Sequence, residues 1–177
     1  MNVFQSTDIL LPQNVDMEKW AVIACDQFTS DPAYWQRVRE KVSGEPSTLN
    51  MILPEADLET VDEQKAVKAI NATMETYARD GIFQVYPNSY IYVERTLVDG
   101  SVRPGLLGAV DLEAYDYHHG STSPIRATEK TVLERIPPRQ RVRKDASIEL
   151  PHILILISDK PEDGIFAALK NGNLPVL

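Results

Sequence analysis

Ser89-Tyr90-Ile91-Tyr92-Val93-Glu94-Arg95-Thr96-Leu97 and, beyond Val98-Asp99-Gly100-Ser101-Val102, the run Arg103-Pro104-Gly105-Leu106-Leu107-Gly108-Ala109-Val110-Asp111-Leu112-Glu113 decide the fold class of this chain. Both runs carry strand-type residues, and they flank Asp99-Gly100, a dipeptide that readily supplies the positive φ a tight hairpin turn requires. Residues 89–97 and 103–113 are therefore expected to form an antiparallel hairpin. Alternation places Tyr90 and Tyr92 on one face and Ile91, Val93 and Leu97 on the other. The tyrosines read as cover for a sheet face. A base-stacking platform is disfavoured, because Arg95 is the one cation interleaved with them.

Working outward from the hairpin, residues 8–12 read as a short strand ending at Pro12, and the apolar run 19–25 as a second, buried strand. Asp31 can cap a helix whose first position suits Pro32; Trp35, Val38 and Val42 recur at helical spacing before Ser43-Gly44. Residues 49–53 read as another strand. Residues 59–80 form the clearest long helix, with Val67, Ile70, Met74 and Tyr77 as its apolar stripe and Asp80-Gly81 as its stop. Further on, Thr128 can cap a short helix over 129–136, which Pro137-Pro138 should interrupt before a second basic helix or turn from Arg139 onward. Residues 152–157 read as a buried strand and 161–170 as a final helix. This order is α+β: a mixed, largely antiparallel sheet with a β-hairpin and flanking helices, expected as a single domain over residues 1–177. There is no repeated βαβ pattern, and neither G-x-G-x-x-G nor G-x-x-x-x-G-K-[ST] occurs, which disfavours a dinucleotide fold or a standard phosphate loop.

The chain of 177 residues, 43% hydrophobic and 25% charged, is long enough to bury one full core. No run approaches the roughly 20 apolar residues of a membrane span, and residues 1–8 lack the basic-then-apolar order of a signal peptide, so a cytoplasmic location is expected. The single cysteine, Cys25, excludes an internal disulfide framework and reads as a small core residue before it reads as a reactive thiol. His118 and His119 adjoin Asp116 in a loop, but a third metal ligand at useful spacing is missing.

A net charge of −8 argues against general nucleic-acid binding. Yet between Arg126 and Lys144 seven cations (Arg126, Lys130, Arg135, Arg139, Arg141, Arg143, Lys144) face two anions (Glu129, Glu134), a local balance of +5. That surplus suits a compact anion such as a phosphate group. Free N–H groups at a helix start near Thr128 would point at such a phosphate, and Arg126, Lys130, Arg135 and Arg139 could converge on it. Read from the residues alone, Glu129 is a capping acid of the first turn. Asp26, directly after an apolar run, reads equally as a magnesium or substrate ligand and as a turn former with Gln27 and Thr29.

Three passages together carry a resemblance. They are Trp20-Ala21-Val22-Ile23-Ala24-Cys25-Asp26-Gln27-Phe28-Thr29-Ser30, the hairpin end Pro104-Gly105-Leu106-Leu107-Gly108-Ala109-Val110-Asp111-Leu112-Glu113, and Ile125-Arg126-Ala127-Thr128-Glu129-Lys130-Thr131-Val132-Leu133-Glu134-Arg135-Ile136-Pro137-Pro138-Arg139. In order and spacing the chain resembles the N-terminal portion of the longer proteins of the domain of unknown function 1015 family. Many members carry Pro-Tyr-Asp where this chain has Cys25-Asp26-Gln27, and His-Glu-x-Thr where it has Thr128-Glu129-Lys130-Thr131; the histidine position is Thr128 here. That family is itself similar to the ParB and sulfiredoxin-like fold, which binds nucleotide phosphates with arginines and a helix start and includes kinases acting on free serine. The resemblance implies phosphoryl transfer from ATP or ADP, with Mg2+, to a small hydroxylated metabolite such as serine. It casts Glu129 and Asp26 as catalytic, with Arg126, Thr128, Lys130, Thr131, Arg135 and Arg139 holding the nucleotide. The alternative it leaves open is a nucleotide-sensing or nucleic-acid-binding ParB-like module without catalysis. A homo-oligomer is also left open.

Overall fold

The computed structural model describes residues 3–116, 118–126, 132–150, 152–158 and 164–170. Two short strands open it, β1 (Phe4–Gln5) and β2 (Thr7–Pro12), the second where the apolar run before Pro12 places it. A one-turn helix, α1 (Met17–Trp20), follows because the Asp16 carboxylate accepts from the Glu18 N–H at 3.0 Å. This cap overturns the buried strand expected over 19–25. Trp20 is buried, but Ile23 is exposed, and the stretch after Trp20 has no strand partner. Its polar groups turn instead to Thr48, which donates to the Trp20 carbonyl at 2.8 Å and accepts from the Val22 N–H at 3.3 Å.

Helix α2 (Pro32–Val42) forms as expected, with the Asp31 carboxylate accepting from the Tyr34 N–H at 3.0 Å. The strand expected over 49–53 is a second correction. The Ser47 hydroxyl accepts from the Leu49 N–H at 3.2 Å and winds Thr48–Met51 into a 3-10 turn, which buries Leu49 and Met51 by a different geometry. Helix α3 (Glu63–Arg79) starts later than residue 59 because Asp62 is its cap, accepting from the Lys65 N–H at 3.1 Å. Ile70 and Met74 are its buried positions, and Gly81 leaves it at φ +75°.

Strand β3 (Phe83–Ser89) pairs with β2. Sequence patterning passes over it because Pro87 interrupts the run, a residue a two-stranded sheet tolerates. The hairpin is present as β4 (Ile91–Thr96) and β5 (Val102–Leu107), antiparallel from Ile91↔Leu107 to Thr96↔Val102. Gly100 sits at φ +81° in the turn, and Asp99 accepts from the Ser101 N–H at 2.9 Å and its hydroxyl at 2.6 Å. The second arm is shorter than residues 103–113. At Gly108 a Cβ would lie 2.7 Å from the Gln5 carbonyl oxygen, so the chain passes tightly against β1 there. It continues as β6 (Ala109–Val110), antiparallel to β1. The Tyr90 ring stacks on Phe4 at 5.5 Å.

Helix α4 (Ile136–Arg143) contains Pro137 and Pro138 in its first turn. They begin the helix instead of interrupting it, because first-turn N–H groups have no intrahelical acceptor to lose. Residues 152–158 form neither helix nor strand and are exposed, contrary to the buried strand expected there; no described strand offers the run a ladder. A short helix, α5 (Ile165–Lys170), completes the described chain.

The strands make three two-stranded sheets, β1-β6, β2-β3 and β4-β5, and with the helices the architecture is α+β. The chain divides into two compact units. A strand-rich unit comprises Met1–Leu10, Val85–Glu129 and Ile153–Leu177, and a helical unit Leu11–Gln84 and Lys130–His152. In the helical unit Trp20, Met51, Ile70 and Met74 form one cluster, joined by Tyr77, Phe83 and Val142; Trp35, Val42 and Leu49 form another. Among the described residues no helix is long and apolar enough to cross a membrane.

Candidate functional site

The site is assembled within the helical unit by the way α4 is held. Val142 packs on the Trp20 cluster. One residue earlier, Arg141 forks onto Glu63 in the first turn of α3, its Nη2 lying 3.0 Å from Oε2 and its Nε also bonded to the carboxylate. The hydrogen bond from Arg141 holds the Glu63 carboxyl below its ordinary value, and Glu63 in turn raises the guanidinium. A bidentate pair of this kind fixes orientation as well as charge.

With α4 so fixed, the Arg139 guanidinium faces two acids, Asp26 Oδ2 at 3.5 Å and Glu55 Oε2 at 3.7 Å. Their backbones are tied to one another. The Glu55 N–H donates to the Cys25 carbonyl at 2.8 Å, and the turn carrying Asp26 is closed by the Gln27 N–H donating to the Ala24 carbonyl at 3.0 Å. The indole N–H of the fully buried Trp35 donates to the Gln27 carbonyl at 3.1 Å, anchoring that turn to the core. All three charged groups keep solvent contact, with side-chain exposures of 54% for Arg139, 42% for Asp26 and 32% for Glu55. These are loose ion pairs in water, each worth at most about 1 kcal/mol, and a ligand with stronger acceptors can displace them.

Cys25 is partly buried beside this group. Burial pushes its thiol above the ordinary value, Asp26 pushes it further, and Arg139 offsets only part of the rise. It is therefore a neutral thiol at pH 7, in keeping with a packing role.

Asp26 and Arg139, both singled out from the sequence, are thus brought together across 113 positions of chain. Glu55 was not singled out: with residues 49–53 read as a strand, nothing local pointed to it. Arg126 lies in the strand-rich unit, its Nε donating to the Ser123 carbonyl at 3.4 Å. Thr128, Glu129, Lys130 and Thr131 lie outside the described residues, as does the side chain of Arg135. The local surplus of +5 is partly offset in space by acids from elsewhere in the chain. Arg139 meets Asp26 and Glu55, Arg141 meets Glu63, and Arg143 pairs with Glu149.

In the strand-rich unit, Asp116 Oδ1 accepts from the His118 N–H at 3.0 Å and lies 2.5 Å from His118 Nδ1. The backbone N–H, then the ring, then Ser121 lower the Asp116 carboxyl to about 2. Among the described residues no three His, Cys, Asp or Glu side chains are grouped to hold a metal.

A family model described as protein of unknown function (DUF1015) matches residues 9–177. No curated protein and no solved structure matches the chain.

Proposed function

We propose that this chain, which belongs to the DUF1015 family, binds the phosphates of ATP or ADP and transfers a phosphoryl group to a small hydroxylated metabolite, free serine being the first candidate. The observation that carries the reading is the meeting of Arg139 with Asp26 and Glu55. A planar guanidinium facing its acids across 3.5 and 3.7 Å can exchange them for phosphate oxygens. The two released carboxylates are hard oxygen donors, and one or two carboxylates plus phosphate oxygens are the usual protein share of a magnesium site. These residues therefore fit a Mg2+ ion, which when bound would neutralise charge on the transferring group.

The family resemblance assigns Arg126, Thr128, Lys130, Thr131 and Arg135 to nucleotide binding and Glu129 to the role of general base. The substrate hydroxyl oxygen forms a bond to phosphorus, and the bond from phosphorus to the nucleotide oxygen breaks with its electron pair leaving on the nucleotide. The hydroxyl proton passes to Glu129. Little covalent work is asked of the protein beyond positioning and charge. A cytoplasmic place of action belongs to the same reading.

Incubation of the chain with serine, Mg2+ and ATP or ADP is expected to yield phosphoserine by mass spectrometry, with Glu129→Gln abolishing turnover. Arg139→Ala should weaken nucleotide binding about tenfold or more, the loss of a charge-assisted hydrogen bond worth roughly 1.5–3 kcal/mol. Nucleotide binding without turnover on any hydroxylated metabolite would transfer the site to the second reading, nucleotide sensing. A nucleic-acid version of that reading draws less support, because the chain carries a net charge of −8.

A further inference from the structure

Five consecutive apolar residues, Ile153-Leu154-Ile155-Leu156-Ile157, stand on the surface of the strand-rich unit. Their exposures are 83, 80, 46, 79 and 46%. All five are exposed, Ile155 and Ile157 less so than the other three. Among the described residues, no backbone hydrogen bond reaches residues 153–157. A hydrophobic, uncharged run that pairs with no described strand is a template for another strand.

The order of the residues indicates which strand. Ile-Leu-Ile-Leu-Ile reads identically in both directions. Laid antiparallel on a second copy with the two-fold axis at Ile155, it sets Ile153 opposite Ile157, Leu154 opposite Leu156 and Ile155 opposite itself. Every cross-strand pair then joins like-sized apolar side chains with no charge in register. The contact is isologous: each such pairing joins two copies through the same patch. We infer that the chain dimerises by antiparallel pairing of residues 153–157 with the same segment of a second copy.

Two experiments on the intact chain test this. Light scattering across a concentration series is expected to give twice the 19.9 kDa mass of the chain at high concentration. Glu at both Leu154 and Leu156 should return the mass to that of one chain, because like charges would then face each other across the ladder, while Leu154→Lys with Leu156→Glu should retain the dimer. Circular dichroism on each variant reports whether the fold survives. In a Cys25→Ser background, Ile155→Cys should form an intermolecular disulfide on oxidation, because directly opposed strand residues have Cα atoms about 4.5–5.5 Å apart, within disulfide range. Leu154→Cys should not link to itself. A single-chain mass at every concentration, or a dimer in which position 155 links no better than position 154, overturns the proposal.

Discussion

The helical and strand-rich units solve the same problem in different ways. Of the hydrophobic side chains buried among the described residues, Trp20, Trp35, Val42, Leu49, Met51, Ile70 and Met74 all belong to the helical unit, and Ile9 alone to the strand-rich one. The helical unit is held by side-chain burial, at roughly 1.5–3 kcal/mol for each large apolar group removed from water. The strand-rich unit is held by short backbone ladders and leaves Val98, Val102 and residues 153–157 in solvent. The contrast shows what sets the place of the Arg139 group: its turn and its helix both hang on buried tryptophans.

The sharpest way to break this comparison is to truncate one apolar residue in each unit. Trp35→Ala, at a fully buried position, should cost about 3–5 kcal/mol in chemical denaturation. Val98→Ala, at a fully exposed one, should stay within about 0.5 kcal/mol. Similar losses at both sites would mean that the strand-rich unit hides a core of its own.

A smaller effect is expected where the strand-rich unit is tightly packed. Gly108→Val would drive a side chain into the Gln5 carbonyl and the Phe4 and Tyr90 rings, and should cost about 1–3 kcal/mol in the same assay. An unchanged midpoint would show that β1 and β6 do not contribute to cooperative unfolding.

The smallest effect concerns the Asp116–His118 loop. The Asp116 carboxyl is held at about 2 in the fold against an ordinary value of 3.8. A lowered value means that the ionised form favours the folded loop. Its contribution is complete above pH 3.8 and is lost as pH falls towards about 2. The His118 amide resonance should therefore move within that window; an inflection at the ordinary carboxyl value would mean that the loop is not held by this acid.

The sequence by itself determined the α+β class, the hairpin about Asp99-Gly100, the helix that Asp31 caps and the presence of a long helix within residues 59–80. Each of these rests on signals a few residues apart, which local backbone geometry reads directly. It misjudged residues 19–25, 49–53 and 152–157 for one reason. An apolar run becomes a strand only if another strand offers it a ladder, and caps such as Asp16 and Ser47 compete for the same backbone groups. Tertiary structure alone decided that Arg139 should meet Asp26 and Glu55, and that Arg141 and Arg143 should meet Glu63 and Glu149. A charge count along the chain registers the cations between 126 and 144. It cannot register acids that arrive through folding, because electrostatic pairing depends on distance in space and not on position in the sequence.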